Sequence, residues 1–262
     1  MFNFKKEKEP EEIKKKAVIA VWGSPNSGKT TVATKLAKAI SEQKINTTLI
    51  LCDNVVPMLP CILPPSSIVN EEEKSLGKLL SKVNITPTLV KENLMLIKGN
   101  PNLSILSYLK SENEYSHSSY TDIQAEELLD SVKELASVVI VDCSSNIASS
   151  VISTTALLES DFVVNLITCD LKSISFLSSQ LSVLYNKGFD EIAMYKVLSN
   201  VKPNSNKEQM SMSVGKIAFE FSNSSELEEQ FQEGDLLGDL TFKNSREFRK
   251  TIKLILKEIL DI

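Results

Sequence analysis

Eight consecutive residues, Gly23, Ser24, Pro25, Asn26, Ser27, Gly28, Lys29 and Thr30, fit the pattern GxxxxGK[ST]. They follow the apolar run AVIAVW (residues 17–22) and lead into TTVATKLAKAI, so a strand is expected to end and a helix to begin at the motif. Average residue frequencies would produce the bare pattern by chance in roughly one such chain in a hundred, before the flanking strand and helix are required. That context sets aside the bland reading, a glycine-rich turn without a ligand. Backbone amides of such a loop and of the helix N-terminus form a nest for the β- and γ-phosphates of a nucleotide. Gly28 lets the backbone approach closely. Lys29 brings a positive point charge to the β- and γ-phosphates, and the Thr30 hydroxyl is a hard oxygen ligand for Mg²⁺. With Thr31 beside them, residues 23–31 are the expected ATP- and Mg²⁺-binding set.

A magnesium-nucleotide site also needs a carboxylate at a strand end. SVVIVDCSS supplies Asp142 after four apolar residues, and Asp53 closes TLILC after the motif helix. Each could be an ordinary strand exit. Carboxyl ends of parallel strands converge on one edge, however, so Gly23, Asp53 and Asp142 are expected in one crevice, with Thr30 and Asp142 as the metal ligands. The three glutamates at 71–73 read instead as a solvated helix start favoured by the helix dipole.

Elements must hold these groups in place. The apolar runs at 17–22, 48–52, 137–142, 161–168 and 193–200 alternate with helical patterns at 30–43, 71–83, 121–136 and 171–186, the third opened by the capping box Thr121-x-x-Gln124. Near-continuous apolar strands require cover on both faces. The expectation is one α/β domain over residues 17–262, a three-layer nucleotide-binding fold with a mostly parallel twisted sheet covered by helices on both faces. A proline-rich stretch between the second strand and Thr121 suggests a helix at LGKLLSKV and an extra strand at NLMLIKG. Residues 1–16 read as a solvated charged tail.

Composition narrows the chemistry further. In 262 residues, 42% are apolar and 24% charged, and the net charge of -5 offers no general attraction for nucleic acid. No run of about 18 apolar residues and no apolar segment of a secretory signal are visible, so the chain is expected in the cytoplasm. The four cysteines lack CxxC spacing and read as structural thiols. His117 is the only histidine, which excludes a histidine-based triad or a multi-histidine metal site, and it reads as a solvated loop residue.

The order of these features resembles the ParA/MinD group of ATPases from Ala17 to about Leu240. The resemblance places Asp53 on the aspartate that positions the attacking water, making Lys29 and Asp53 the catalytic pair. It places Asp142 on a switch aspartate, and Asn200, in KVLSNVKPN, on the asparagine that contacts adenine. It implies a slowly hydrolysing ATP-dependent switch, peripheral at the inner face of the membrane, and a nucleotide-dependent homodimer. VWGSPNSGKTTVATKLAKAI and CDNVVPMLP look most like the CpaE/TadZ branch, implying protein partners in a pilus or secretion system. Two departures stand out. Ser24 occupies the place of the group's lysine that reaches across a dimer, and Leu51 replaces a second acidic residue. A non-hydrolysing nucleotide-bound scaffold and a DNA-partition ATPase stay open as alternatives, whereas a GTPase lacks its NKxD or TKxD motif here.

Residues 245–262 form a helical pattern with Phe248, Ile252, Ile255, Leu256, Ile259 and Ile262 on one face. Arg246, Arg249, Lys250, Lys253 and Lys257 form a stripe on the other, either a solvated face or a contact for an anionic surface such as DNA or phospholipid.

Overall fold

The computed structural model describes residues 16–69 and 74–262. The run before the phosphate motif becomes β1 (Ala17–Gly23), buried along its whole length. Val18, Ala20 and Trp22 join one hydrophobic cluster, while Ile19 and Val21 join another. A strand apolar on both sides holds only inside two layers of cover, and the remaining elements supply them.

In chain order there follow α1 (Lys29–Ser41), β2 (Thr47–Leu51), α2 (Leu59–Ile62), β3 (Ile68–Val69), α3 (Leu76–Leu80), α4 (Pro87–Asn93), β4 (Met95–Ile97), β5 (Asn100–Ser107), α5 (Asp122–Leu135) and β6 (Val138–Asp142). The second half adds α6 (Val151–Glu159), β7 (Phe162–Thr168), α7 (Leu171–Tyr185), β8 (Met194–Val201), α8 (Lys207–Val214), β9 (Phe219–Ser222), α9 (Ser225–Glu233) and α10 (Arg246–Leu260). One sheet runs in the order β3-β4-β5-β2-β6-β1-β7-β8-β9. All neighbouring pairs are parallel except those that β4 makes with β3 and β5. Leu36, Ile40, Leu59, Leu227, Ile252 and Ile255 bring α1, α2, α9 and α10 onto one face. Leu79, Val90, Leu128, Ile152, Leu177 and Met210 bring α3 to α8 onto the other. The chain is thus the mostly parallel, three-layer α/β fold that the strand pattern calls for.

Register aligns the site. Val21 of β1 and Leu51 of β2 both pair with Asp142 at the end of β6. The phosphate motif, Asp53 and Asp142 therefore leave the sheet at one edge, as parallel strands require.

Two local expectations change. The helix read at 71–83 is shorter, because Ser75 caps α3 by accepting from the amides of Gly77 and Lys78; the three glutamates at 71–73 and tail residues 1–15 lie outside the described residues. His117 is not solvated. Its side chain is 18% exposed, with Nε2 2.8 Å from Glu112 Oε1. Glu112 also accepts from Ser75 Oγ and the Leu109 amide, so its loop folds back onto α3. Gly77 makes room for the ring: a Cβ there would stand 2.1 Å from His117 Cδ2. The capping box of α5 forms in both directions.

Candidate functional site

The motif loop is shaped by two glycines. A Cβ on Gly23 would meet the Leu166 carbonyl oxygen at 2.3 Å, so β1 can lie this close to β7 only with glycine there. Gly28 sits at φ 86, ψ 22 as the N-cap of α1, a left-handed conformation that removes any side chain from the helix entrance. No side chain caps α1. Its first-turn amides are left for an anion.

Lys29 turns back over the loop, donating to Ser145 Oγ at 2.6 Å and to the Ser24 carbonyl at 3.3 Å. Ser145 in turn donates to the Gly23 carbonyl at 2.8 Å. Burial pulls the Lys29 pKa below the usual lysine value, against the opposing charges of Asp142 and Asp53. The Thr30 hydroxyl donates to Asp142 Oδ2 at 2.6 Å, whereas Asp142 Oδ1 is buried without a partner. Burial pushes the Asp142 carboxyl up to about 6, while Lys29 and the Thr30 hydrogen bond pull it down. An orphaned carboxylate oxygen beside a hydroxyl is a donor set of hard oxygens and fits Mg²⁺. No cluster of three His, Cys, Asp or Glu that could hold a metal exists among the described residues. A cation here must draw further ligands from phosphate oxygens and water, the usual habit of Mg²⁺.

Asp53 faces the same space in a different state. Its Oδ1 accepts from the amides of Val55 at 3.0 Å and Val56 at 2.8 Å, folding the segment after β2 into a tight turn. Asp53, Asp142, Lys29, Thr30, Ser145 and Phe231 help line a cavity of about 650 Å³. A second cavity of about 270 Å³ shares Asn26, Gly28, Thr31 and Phe231 with it and is walled by Ser27, Asn200, Phe221, Asn223, Glu228 and Phe248. Together they could accept a polar head in the first and a flat ring in the second.

Of the residues expected from sequence, Pro25, Asn26, Ser27, Gly28, Lys29, Thr30, Thr31, Asp53, Asp142 and Asn200 line one cavity or both. Gly23 and Ser24 stand behind the loop. Ser24 is 1% exposed, its hydroxyl 2.7 Å from that of Ser173 at the start of α7. The outer side of the loop has a cation from elsewhere: Lys172 donates to the Pro25 carbonyl at 2.8 Å. Sequence reading missed Ser145, Lys172, Asn223, Glu228 and Phe231. Ser145 was open to detection, three positions after Asp142. The others lie on turns and helices outside the phosphate motif.

No protein-family model and no curated protein matches the sequence. Solved structures match its shape. A ParA family ATPase from Chlorobium tepidum superposes with a TM-score of 0.72 at 16% identity, over 94% of this chain and 100% of that one. The septum site-determining protein MinD from Pyrococcus horikoshii, complexed with Mg-ADP, gives 0.71 at 16% identity over 92% and 96%. A putative plasmid partition protein from Borrelia burgdorferi, bound to AMPPNP, gives 0.69 at 16% identity over 94% and 100%. The fold is that of the ParA/MinD ATPases.

Proposed function

We propose that this chain is an ATP-binding switch of the ParA/MinD type, slow to hydrolyse its nucleotide. The observation that carries the reading is the buried Thr30–Asp142 pair with its orphaned Oδ1, set beside Lys29 at the open N-terminus of α1. That arrangement has a cost without a ligand and a use with one. Triphosphate oxygens would occupy the loop amides and Lys29, and the base would enter the smaller cavity beside Asn200. Mg²⁺, held by Thr30 and Asp142, would neutralise charge on the phosphates. The nucleotides bound to the MinD and partition-protein structures support this assignment.

Asp53 is the candidate for orienting water. One of its oxygens is already engaged by two amides, and Ser24 offers no cation to the loop, so hydrolysis by the resting protein is slow. A missing transition-state cation costs roughly 10³ to 10⁵ in rate by analogy with arginine fingers. ATP then persists and joins two copies through the exposed rim, where Val55 and Val56 are 56% and 57% exposed. The role of such a dimer is the positioning or assembly of a larger machine. The look of residues 21–40 and of CDNVVPMLP favours a pilus or secretion system. Light scattering with ATP, with ADP and without nucleotide, alongside phosphate release, tests the switch. The expected result is a dimer with ATP alone and very slow release; a monomer in all three conditions with rapid turnover would contradict both halves.

A further inference from the structure

Asn200 is aimed by a defect in the sheet. Between β8 and β9, Leu198 pairs with Glu220 and Val201 with Ser222, so Ser199 and Asn200 together stand opposite Phe221 alone. This is a β-bulge, a device that redirects a side chain beside a site. Asn200 adopts φ 53, a left-handed conformation that asparagine tolerates better than most residues. Its side chain is thereby placed on the wall of the smaller cavity.

The direction of its amide is set from outside. Glu228 is a carboxylate and accepts only, so the Asn223 amide must present nitrogen to it, and Nδ2 donates to Glu228 Oε1 at 2.9 Å. The same Nδ2 donates to Asn200 Oδ1 at 2.6 Å. With its oxygen turned to Asn223, Asn200 presents its NH₂ on the other side, and Asn223, with both hydrogens used, has only its oxygen to offer. A neighbouring donor and acceptor are thus fixed in polarity by one negative charge. Along the edge from N7 to the C6 substituent, adenine presents an acceptor and an amino donor, whereas guanine presents two acceptors. We propose that Glu228, acting through Asn223, is the residue that makes this cavity select a 6-amino purine over a 6-oxo purine. The proposal rests on the assignment of the smaller cavity to the base. Glu228 is a positioning residue: it acts on Asn200 through Asn223.

Glu228→Gln removes the obligate acceptor, because a glutamine can present either end and frees both amides to turn. ATP, GTP and inorganic tripolyphosphate are titrated in competition against the wild type and this variant. The wild type should prefer ATP to GTP, Glu228→Gln should reduce that preference by about tenfold or more, and tripolyphosphate affinity should not change. Asn223→Ala, which removes the donor that engages Asn200 Oδ1, should lower the preference as well, since Asn200 can then turn either end of its amide to the base. An unchanged ATP-to-GTP ratio in both variants overturns the proposal. So does a preference for GTP in the wild type, or an equal loss for all three ligands in Glu228→Gln. Failure of all three ligands to bind the wild type would instead overturn the nucleotide reading itself.

Discussion

Two carboxylates face one cavity and are held in opposite ways. Asp142 is 3% exposed with one oxygen idle, and its carboxyl rises to about 6 because burial penalises the charge. In the unfolded chain the same group titrates near the ordinary aspartate value. Between the two values the folded state binds the extra proton, so the contribution of Asp142 to stability is present at low pH and is lost as pH rises from about 4 through 6. Asp142→Asn keeps an acceptor for Thr30 and discards the charge. Thermal denaturation above pH 6 should therefore show the nucleotide-free variant more stable than wild type, by on the order of 1–3 kcal/mol, with the gain vanishing near pH 4. The same variant should lose the Mg²⁺ dependence of ATP binding. Asp53→Ala should do neither: its binding stays within about threefold, while turnover falls by about a hundredfold or more, the scale of a lost water-orienting base. Identical behaviour of the two variants would refute the division of roles.

At the scale of elements, α1 is pinned behind the site by a buried lysine. Lys35 donates to Gln230 Oε1 of α9 at 2.6 Å and to the Gly238 carbonyl at 2.7 Å, fastening the segment that leads into α10. Glu226 anchors that segment from the other side through the amides of Thr241 and Phe242 and the hydroxyl of Ser245. Burial lowers the Lys35 pKa to about 8, so its charge weakens the fold at neutral pH, and the penalty fades as pH rises from about 8 toward 10.5. Urea denaturation should show wild type gaining about 1–2 kcal/mol on Lys35→Met between about pH 7 and about pH 9.5. A constant difference would place Lys35 in water. What was legible at this scale follows from chain physics. β1, β2, β6, β7 and β8 are apolar runs covered on both faces, and α5 announces itself by its capping box. β5 escaped because its first four residues, Asn100, Pro101, Asn102 and Leu103, carry only one apolar side chain; it is held as a strand by pairing with β2. β9, with four residues, is too short for a period to show, and its bulge with β8 is a tertiary feature. The phosphate loop was legible because its conformation is local, whereas Phe231 and Glu228 reach the site only through the packing of α9.

Across the whole molecule, charge and apolar surface are distributed unevenly. The chain carries a net charge of -5, yet Arg246, Lys250, Lys253 and Lys257 lie exposed on α10, while Arg249 is drawn aside to the Leu240 carbonyl. The apolar face of α10, from Phe248 to Ile259, is spent on the core, and its outer side carries these cations together with the exposed Glu247 and Glu258. No helix among the described residues is long and apolar enough to cross a membrane. The two cavities at the phosphate loop open at a rim that includes the exposed Val55 and Val56. A switch of this kind requires that the loop at residues 23–30 hold a nucleotide. Calorimetric titration of Mg-ATP into wild type and Lys29→Ala tests that most directly. One saturable site in the wild type, weakened about a hundredfold or more in Lys29→Ala by loss of a charge-assisted contact to the phosphates, is expected; equal affinity in the two proteins, or no binding to the wild type, would rule out a phosphate-binding role for the loop.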